Sequence, residues 1–323
     1  MNILITGANG FVGQNLVRRL LELGRTSPNA RPFSTLTLVD VGFDDLPQDP
    51  RVRRVAGSIA DCATLDAAFS LPMAYVFHLA SVPGGAAEKN YELGLAVNLQ
   101  ASIAILERLR LQGLGARLVF ASTVAVYGAP MPALIDDGTP MKPGLSYGAH
   151  KLATEVLIED YSRRGWIDGR IVRLPGIVAR PPVASGLLSA FMSDIFWRLA
   201  AGERFICPVS PQATAWWMSV GCCVDNLLHA ANLTEKQTAQ RRAYTLPVLR
   251  LAISDIVDGL AARYGVDRRE LVVYEPDEAL EAAFGRQPPL DSAAARAIGF
   301  RSDASAAALI ERAMSASAAN RQG

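Results

Sequence analysis

Short β-rich runs alternate with helical patterns through the first half of the chain. "NILIT" at residues 2–6, "TLTLVD" at 35–40, "VRRVAG" at 52–57, "YVFHLA" at 75–80, "RLVFAS" at 117–122 and "GRIVRLP" at 169–175 read as strands. Between them, apolar residues return every three or four positions. That spacing predicts helices from about Gly10 to Leu23, near Ala63–Phe69, around Asn90–Leu111 and from about Tyr147 to Arg164. Strands alternating with helices imply right-handed βαβ units, hence an α/β fold with a parallel sheet covered on both faces. From about Arg180 the rhythm breaks at Pro181 and Pro182. Helices are expected at Leu187–Ala201, over "VGCCVDNLLHAANL", near Ser254–Tyr264 and near Asp291–Ile298, while "AYTLP" reads as a strand that rejoins the sheet. The expected division is a nucleotide-binding domain over residues 1–179, with 217–247 returning to it. A smaller substrate lobe takes 180–216 and 248–315, followed by a disordered tail at 316–323.

Composition narrows the partners. The 323 residues carry a formal charge of +1, which gives no reason to expect nucleic acid or an anionic membrane. The apolar run Leu187–Ala201 is interrupted by Asp194 and Arg198 and is a poor membrane span. Four cysteines (Cys62, Cys207, Cys222, Cys223) lack disulfide-framework spacing, and three scattered histidines (His78, His150, His229) lack metal-ligand spacing. A cytoplasmic enzyme acting on a small molecule, with no metal, is the expectation.

Two stretches carry chemistry. After the first strand, "TGANGFVG" sets Gly7, Gly10 and Gly13 three apart at the mouth of a helix, with Asn9, Phe11 and Val12 between them. Strand, glycine turn and helix start arrive in the order that cradles a pyrophosphate. Asp40 ends the second strand, where a carboxylate accepts from adenosine ribose hydroxyls and repels a 2′-phosphate, so NAD is expected rather than NADP. The other stretch is "SYGAHK", in which Tyr147 and Lys151 stand one helical turn apart on one face. A cation near a phenol favours the phenolate, giving a base for an alcohol proton. His150 beside them reads as a helix-surface residue.

With the glycine turn, "VFHLAS", "LVFASTVAVYG" and "SYGAHK" in order, the chain resembles the extended short-chain dehydrogenase/reductase family of nucleotide-sugar epimerases, dehydratases and their relatives. The resemblance implies a Rossmann-like doubly wound sheet with a smaller C-terminal substrate-binding lobe. It also implies a bound dinucleotide and a catalytic trio. Tyr147 and Lys151 match two members; Thr123 takes the hydroxyl position, with Ser122 as the alternative. Strand neighbours face opposite sides, so only one of the two can serve. In family terms Gly57, Ser58 and Ile59 flank the adenine, Leu79, Ala80 and Ser81 line the dinucleotide with Asn98 behind, and Pro175, Gly176 and Ile177 pass the nicotinamide amide. Lys151 would hold the nicotinamide ribose and tune Tyr147. For His78, tethering the strand end outweighs chemistry. A homodimer through the helices around residues 90–111 and 147–164 is expected by the same resemblance.

Departures narrow the substrate. Nucleotide-sugar members carry Arg-x-x-Asn after the strand following the catalytic helix; here Gly176 stands for the asparagine. Their Arg-Asp pair, whose arginine grips the diphosphate, is replaced by Ala215 and Trp216. The run from "RLPGIVARP" to "VDNLLHA" looks like the branch of the family that oxidises D-erythronate with NAD. Such an acid needs a cation for its carboxylate, for which Arg180 is the first candidate, with Ser81 and Ser185 as hydrogen-bond partners beside Thr123 and Tyr147. The rival readings are a nucleotide-sugar 4-epimerase that keeps its NAD and a dinucleotide-sensing protein without chemistry.

Overall fold

The computed structural model describes residues 1–26, 33–44, 46–182 and 188–319. The chain runs β1 (Asn2–Thr6), α1 (Phe11–Thr26), β2 (Thr35–Asp40), β3 (Val52–Ala56), α2 (Cys62–Ala68), β4 (Tyr75–His78), α3 (Gly84–Lys89) and α4 (Tyr91–Leu95). A π-helical turn (Ala96–Gln100) leads into α5 (Ala101–Gln112), β5 (Arg117–Thr123), a 3-10 turn (Val124–Tyr127), α6 (Ser146–Arg163) and β6 (Asp168–Leu174). Then come β7 (Gly176–Val178), α7 (Phe191–Ala201), β8 (Phe205–Cys207), β9 (Thr214–Ser219), α8 (Val220–Asn232), α9 (Glu235–Thr238), β10 (Ala243–Thr245) and β11 (Leu249–Ala252). The chain closes with α10 (Ile253–Tyr264), β12 (Val272–Tyr274), α11 (Glu278–Phe284), α12 (Ala293–Ala297) and α13 (Ala306–Ala319).

Seven strands form one sheet in the order β10-β6-β5-β4-β1-β2-β3, every pair parallel. The chain moves outward from β1 to β3 and then crosses back to β4, so the order reverses between β1 and β4. Such a reversal opens a crevice at the carboxyl ends of the strands. Both faces are covered, and the two-residue period sorts the side chains. Ile3, Ile5, Leu36 and Leu38 join the core under α1 and α8, while Leu4, Val39, Leu118 and Phe120 join the core under α2, α5 and α6.

A three-stranded sheet, β11-β9-β7, and the pair β12-β8 build the second layer. Its core gathers Phe191, Ile195, Phe196 and Leu199 of α7, Trp217, Ile256 and Leu260 of α10, and Leu309 and Ile310 of α13. Gly176 therefore leaves the main sheet and pairs with Trp217 instead. α8 and β10 return to the main sheet. The C-terminal helix continues to Ala319, past the fraying point expected near Ser315, as an alanine-rich run allows. Among the described residues no helix is long and apolar enough to cross a membrane, and no group of three or more His, Cys, Asp or Glu could hold a metal.

Candidate active site

The glycine turn joins β1 to α1 across the switch point. Gly7 has a φ of 71°, and a Cβ there would come within 2.7 Å of the Ala80 backbone nitrogen; one on Gly13 would come within 2.1 Å of the Gly7 carbonyl oxygen. The backbone is thus packed as closely as it can be, leaving the start of α1 free to face phosphates, a fit for a dinucleotide. Asp40 sits at the end of β2 and accepts from the Asn9 N–H at 2.8 Å and the Val41 N–H at 2.8 Å. Burial raises its carboxyl, and those backbone donors oppose the rise. On the edge beyond, Ile59 is buried and Ser58 accepts from the Ala60 N–H.

A chain of hydrogen bonds fixes the segment after β4. Ser102 donates its hydroxyl to the Asn98 carbonyl at 2.9 Å, so it can only accept from His78 Nε2 at 2.8 Å. His78 Nδ1 then accepts from Thr6 Oγ1 at 2.7 Å, and Thr6 Oγ1 accepts from the Ala80 N–H. The imidazole is neutral in this arrangement. Burial, and then the charge of Lys151, push it down to about 3. His78 ties the sheet together across the switch point. Asn98 grips both the N–H and the carbonyl of Val82, at 2.7 and 3.0 Å, from the π-helical turn. It holds the segment carrying Leu79, Ala80 and Ser81 and faces no open space itself.

The catalytic candidates meet where α6 crosses the end of β5. Tyr147 faces the hydroxyls of Thr123 and Ser81, both of which favour its phenolate. Lys151, one turn on, is fully buried; its Nζ donates to the Ala121 carbonyl at 2.9 Å and lies 4.6 Å from the Phe120 ring centroid. Ser122 points the other way and donates to Glu155, so it is not part of the cluster, as the alternation of a strand requires. His150 corrects the surface reading: it is 5 % exposed, because α4 lies over this part of α6 and brings Tyr91 to 5.7 Å, ring to ring. Glu88 of α3 accepts from the Ser146 N–H at the start of α6.

The electrostatics differ from the simple tyrosine–lysine picture. Burial raises the Tyr147 phenol, while the bonds to Thr123 and Ser81 and the charge of Arg180 pull it down. Burial also drives Lys151 down to about 7, opposed by Glu155. In the cofactor-free protein, then, Arg180 is the cation that most directly favours the phenolate. Arg180 follows Ala179, whose φ of 59° is a left-handed turn costing about 1–2 kcal/mol in a residue with a Cβ. The turn brings the guanidinium over the Phe11 ring, 5.3 Å from its centroid, and the Arg180 carbonyl is held by Trp197 Nε1 at 2.7 Å. Ser185 lies outside the described residues. Pro175 and Ile177 flank Gly176, whose Cβ would meet the Trp216 carbonyl at 2.9 Å and Met192 Cε at 3.0 Å. Trp216 itself is wholly buried with Val126, Tyr127 and Ile135 and donates to the Pro288 carbonyl, and Ala215 is buried beside it.

A residue group that the motifs left unnoticed lies directly behind. Glu155, one turn beyond Lys151, accepts from Arg173 Nη2 at 2.6 Å and from Ser122, and both members of this ion pair are buried. The signal was available: two arginines interrupt "GRIVRLP", and a charge in a central strand demands a buried partner.

These features define a class, the α/β oxidoreductases that hold a nicotinamide dinucleotide across the switch point of a parallel sheet and work on CH–OH groups. Within that class, the chain belongs to the NAD dependent epimerase/dehydratase family, whose profile matches residues 3–236, and NAD is its cofactor. It is 39 % identical over 308 residues to the D-erythronate dehydrogenase of Cupriavidus necator, covering 94 % of this chain and 95 % of that one. The D-erythronate dehydrogenase of Haemophilus influenzae is 33 % identical over 305 residues, with coverage of 94 % and 95 %. Among solved structures, a nucleoside-diphosphate-sugar epimerase from Agrobacterium tumefaciens superposes with a TM-score of 0.88 at 30 % identity, covering 96 % of this chain and 92 % of that one. The holo form of a GalE-like L-threonine dehydrogenase from Cupriavidus necator gives 0.81 at 22 % identity, covering 98 % and 99 %, and shares the fold.

Proposed function

We propose that the protein oxidises the 2-hydroxyl of a small sugar acid with NAD, D-erythronate to 2-oxo-tetronate first among the candidates. The observation that carries this reading is Arg180: a half-buried guanidinium, without an ion-pair partner among the described residues, close enough to Tyr147 for each charge to act on the other. A carboxylate beside the alcohol would meet it. The two D-erythronate dehydrogenases, similar over nearly their whole length, support the same substrate class.

Gly7, Asn9, Gly10, Phe11, Val12 and Gly13 would hold the pyrophosphate, and Asp40 with Ser58 and Ile59 the adenosine. Leu79, Ala80, Ser81, Pro175 and Ile177 would line the nicotinamide end. Bound there, NAD supplies a hydride acceptor. Tyr147 Oη takes the proton of the substrate hydroxyl, and Thr123 Oγ1 bonds the same oxygen and sets its direction. Lys151 holds the ribose and, with Arg180, stabilises the phenolate; Ser81 and Ser185 are offered as further donors to the substrate. Base catalysis of this kind is worth ~10²–10⁴-fold in rate. The nucleotide-sugar reading has one relative in its favour, the Agrobacterium epimerase. Against it stand Ala215 and Trp216, core residues where a diphosphate would need an arginine.

A homodimer is proposed through the exposed apolar side chains of α4, α5 and α6, namely Tyr91, Leu93, Ile103 and Val156. A cytoplasmic setting fits the four free thiols. The test is a panel of C4 to C6 aldonic and uronic acids with NAD or NADP, reading reduced cofactor, on wild type and Tyr147→Phe. Turnover should vanish in the variant while NADH still binds. Near-normal turnover by Tyr147→Phe would refute the proton transfer, and UDP-hexose interconversion without net NADH would refute the substrate.

A further inference from the structure

α6 docks on β5 through one polar contact per turn. Tyr147 faces the Thr123 hydroxyl, Lys151 bonds the Ala121 carbonyl, and Glu155 takes the Ser122 hydroxyl. The first two belong to the proposed chemistry. The third lies below the reacting groups, shut away from water, where an ionised carboxylate is costly unless it is paired. We infer that Glu155, held by Arg173 and Ser122, is a positioning residue that keeps Lys151 charged. The inference rests on Lys151 serving NAD and Tyr147 as proposed above.

The surroundings of Lys151 leave it little other support. From β4 comes His78, a neutral imidazole. From β5 come the Phe120 ring, the Ala121 carbonyl and the Ser122 hydroxyl, and from the π-helical turn Asn98, which is spent on Val82. On α6 itself the neighbours are Tyr147 and, facing away toward Tyr91, His150. Arg180 adds a like charge near Tyr147. Among the described residues Glu155 is the one carboxylate whose charge reaches Lys151, and it acts against burial. Arg173 shares that carboxylate through Nε and Nη2, and its Nη1 reaches Tyr127 Oη and Thr245 Oγ1, each at 3.5 Å. Glu155 thus serves two cations from β6 and α6, and its position is set by four elements.

Binding of NADH against pH, followed by nicotinamide fluorescence, tests this without any substrate. In the wild type, affinity should fall on the alkaline side as Lys151 loses its proton. Glu155→Gln combined with Arg173→Gln leaves neither member of the ion pair without its partner, and it should move that fall to lower pH by about one unit. Arg173→Gln alone frees the carboxylate for Lys151 and should move the fall to higher pH, so the sign reverses between variants. A purely structural role would weaken binding at every pH without moving the midpoint; midpoints coincident with wild type would overturn the inference. Should the double variant not fold, an Arg173→Gln midpoint that stays put or moves down overturns it equally. Lys151→Met is the control. If it binds NADH as wild type does across the range, the role proposed for Lys151 fails, and this inference fails with it.

Discussion

Replacing Arg180 with glutamine separates the acid substrate from the reacting alcohol. The guanidinium is half-buried, makes no hydrogen bond to a described residue and rests on the Phe11 ring. Burial lowers it from its usual value, and only the charge of Tyr147 opposes this. A charge-assisted bond from such a group to a carboxylate is worth about 1.5–3 kcal/mol. At ~1.4 kcal/mol per decade, Arg180→Gln should cost about 10- to 150-fold in kcat/KM on the sugar acid. A polyol of the same length, lacking the carboxylate, should be oxidised poorly by both enzymes and with no comparable difference between them. The ligand-free variant should also melt no lower than wild type, since an unpaired, partly desolvated charge has been removed. Initial rates of NADH formation on acid and polyol, with a thermal melt, make the whole assay. Unchanged kcat/KM on the acid, or an equal loss on both substrates, would refute a carboxylate clamp.

Two further substitutions probe the frame around the site. His78 is held below its unfolded-state value, so between pH 6.5 and about 3 the unfolded chain binds the extra proton and stability falls as the solution is acidified. From pH 7 to 5 this should remove about 2 kcal/mol, and His78→Gln should lose that much less in urea titrations at the two pH values; parallel losses would count against the buried neutral imidazole. Gly176→Asn restores the residue found in nucleotide-sugar enzymes, but its Cβ would press on the Trp216 carbonyl and Met192. A loss of ~1–3 kcal/mol in stability, with no gain of UDP-hexose turnover, is expected from thermal melts and coupled assays, and a stable variant that interconverts UDP-hexoses would reverse the substrate reading.

Most of the first half was legible because a parallel sheet writes itself plainly. The central strands are buried on both faces, so "NILIT" and "TLTLVD" are mostly aliphatic with interspersed threonine, and β1, β2, β5 and α6 fall within a residue or two of their expected limits. The helix expected at Asn90–Leu111 is instead α4, a π-helical turn and α5, since Asn98 must swing out of α-helical register to grip Val82; periodicity does not report that contact. α7 begins at Phe191, and the expected start at Leu187 lies outside the described residues. The strands β8 and β12 have three residues each and pair across more than sixty positions, too short for alternation to show. At the site, the parity of a strand separated Thr123 from Ser122. Glu155 escaped because an i+4 carboxylate after a lysine looks like an exposed helical pair.

The buried charges bear on the proposed acid substrate and the proposed phenolate. Lys151 and Arg180 stand beside Tyr147 and Arg173 behind them, with one carboxylate, Glu155, paired to Arg173. Two positive charges are left over in a poorly solvated place, which favours whatever brings in negative charge. Ionising the phenol supplies one, and a substrate carboxylate beside the alcohol supplies the other. On this reading, acid binding and loss of the alcohol proton draw on the same excess charge. In the proposed mechanism Arg180 serves both and Lys151 the second, with Glu155 as the group that lets two cations be buried at all. Removing either excess charge should therefore weaken both functions, and the size of the cross-effect is readable in the pH profile of Arg180→Gln: its alkaline-going rise in activity should shift upward, because the phenol loses one of the two charges that help it ionise.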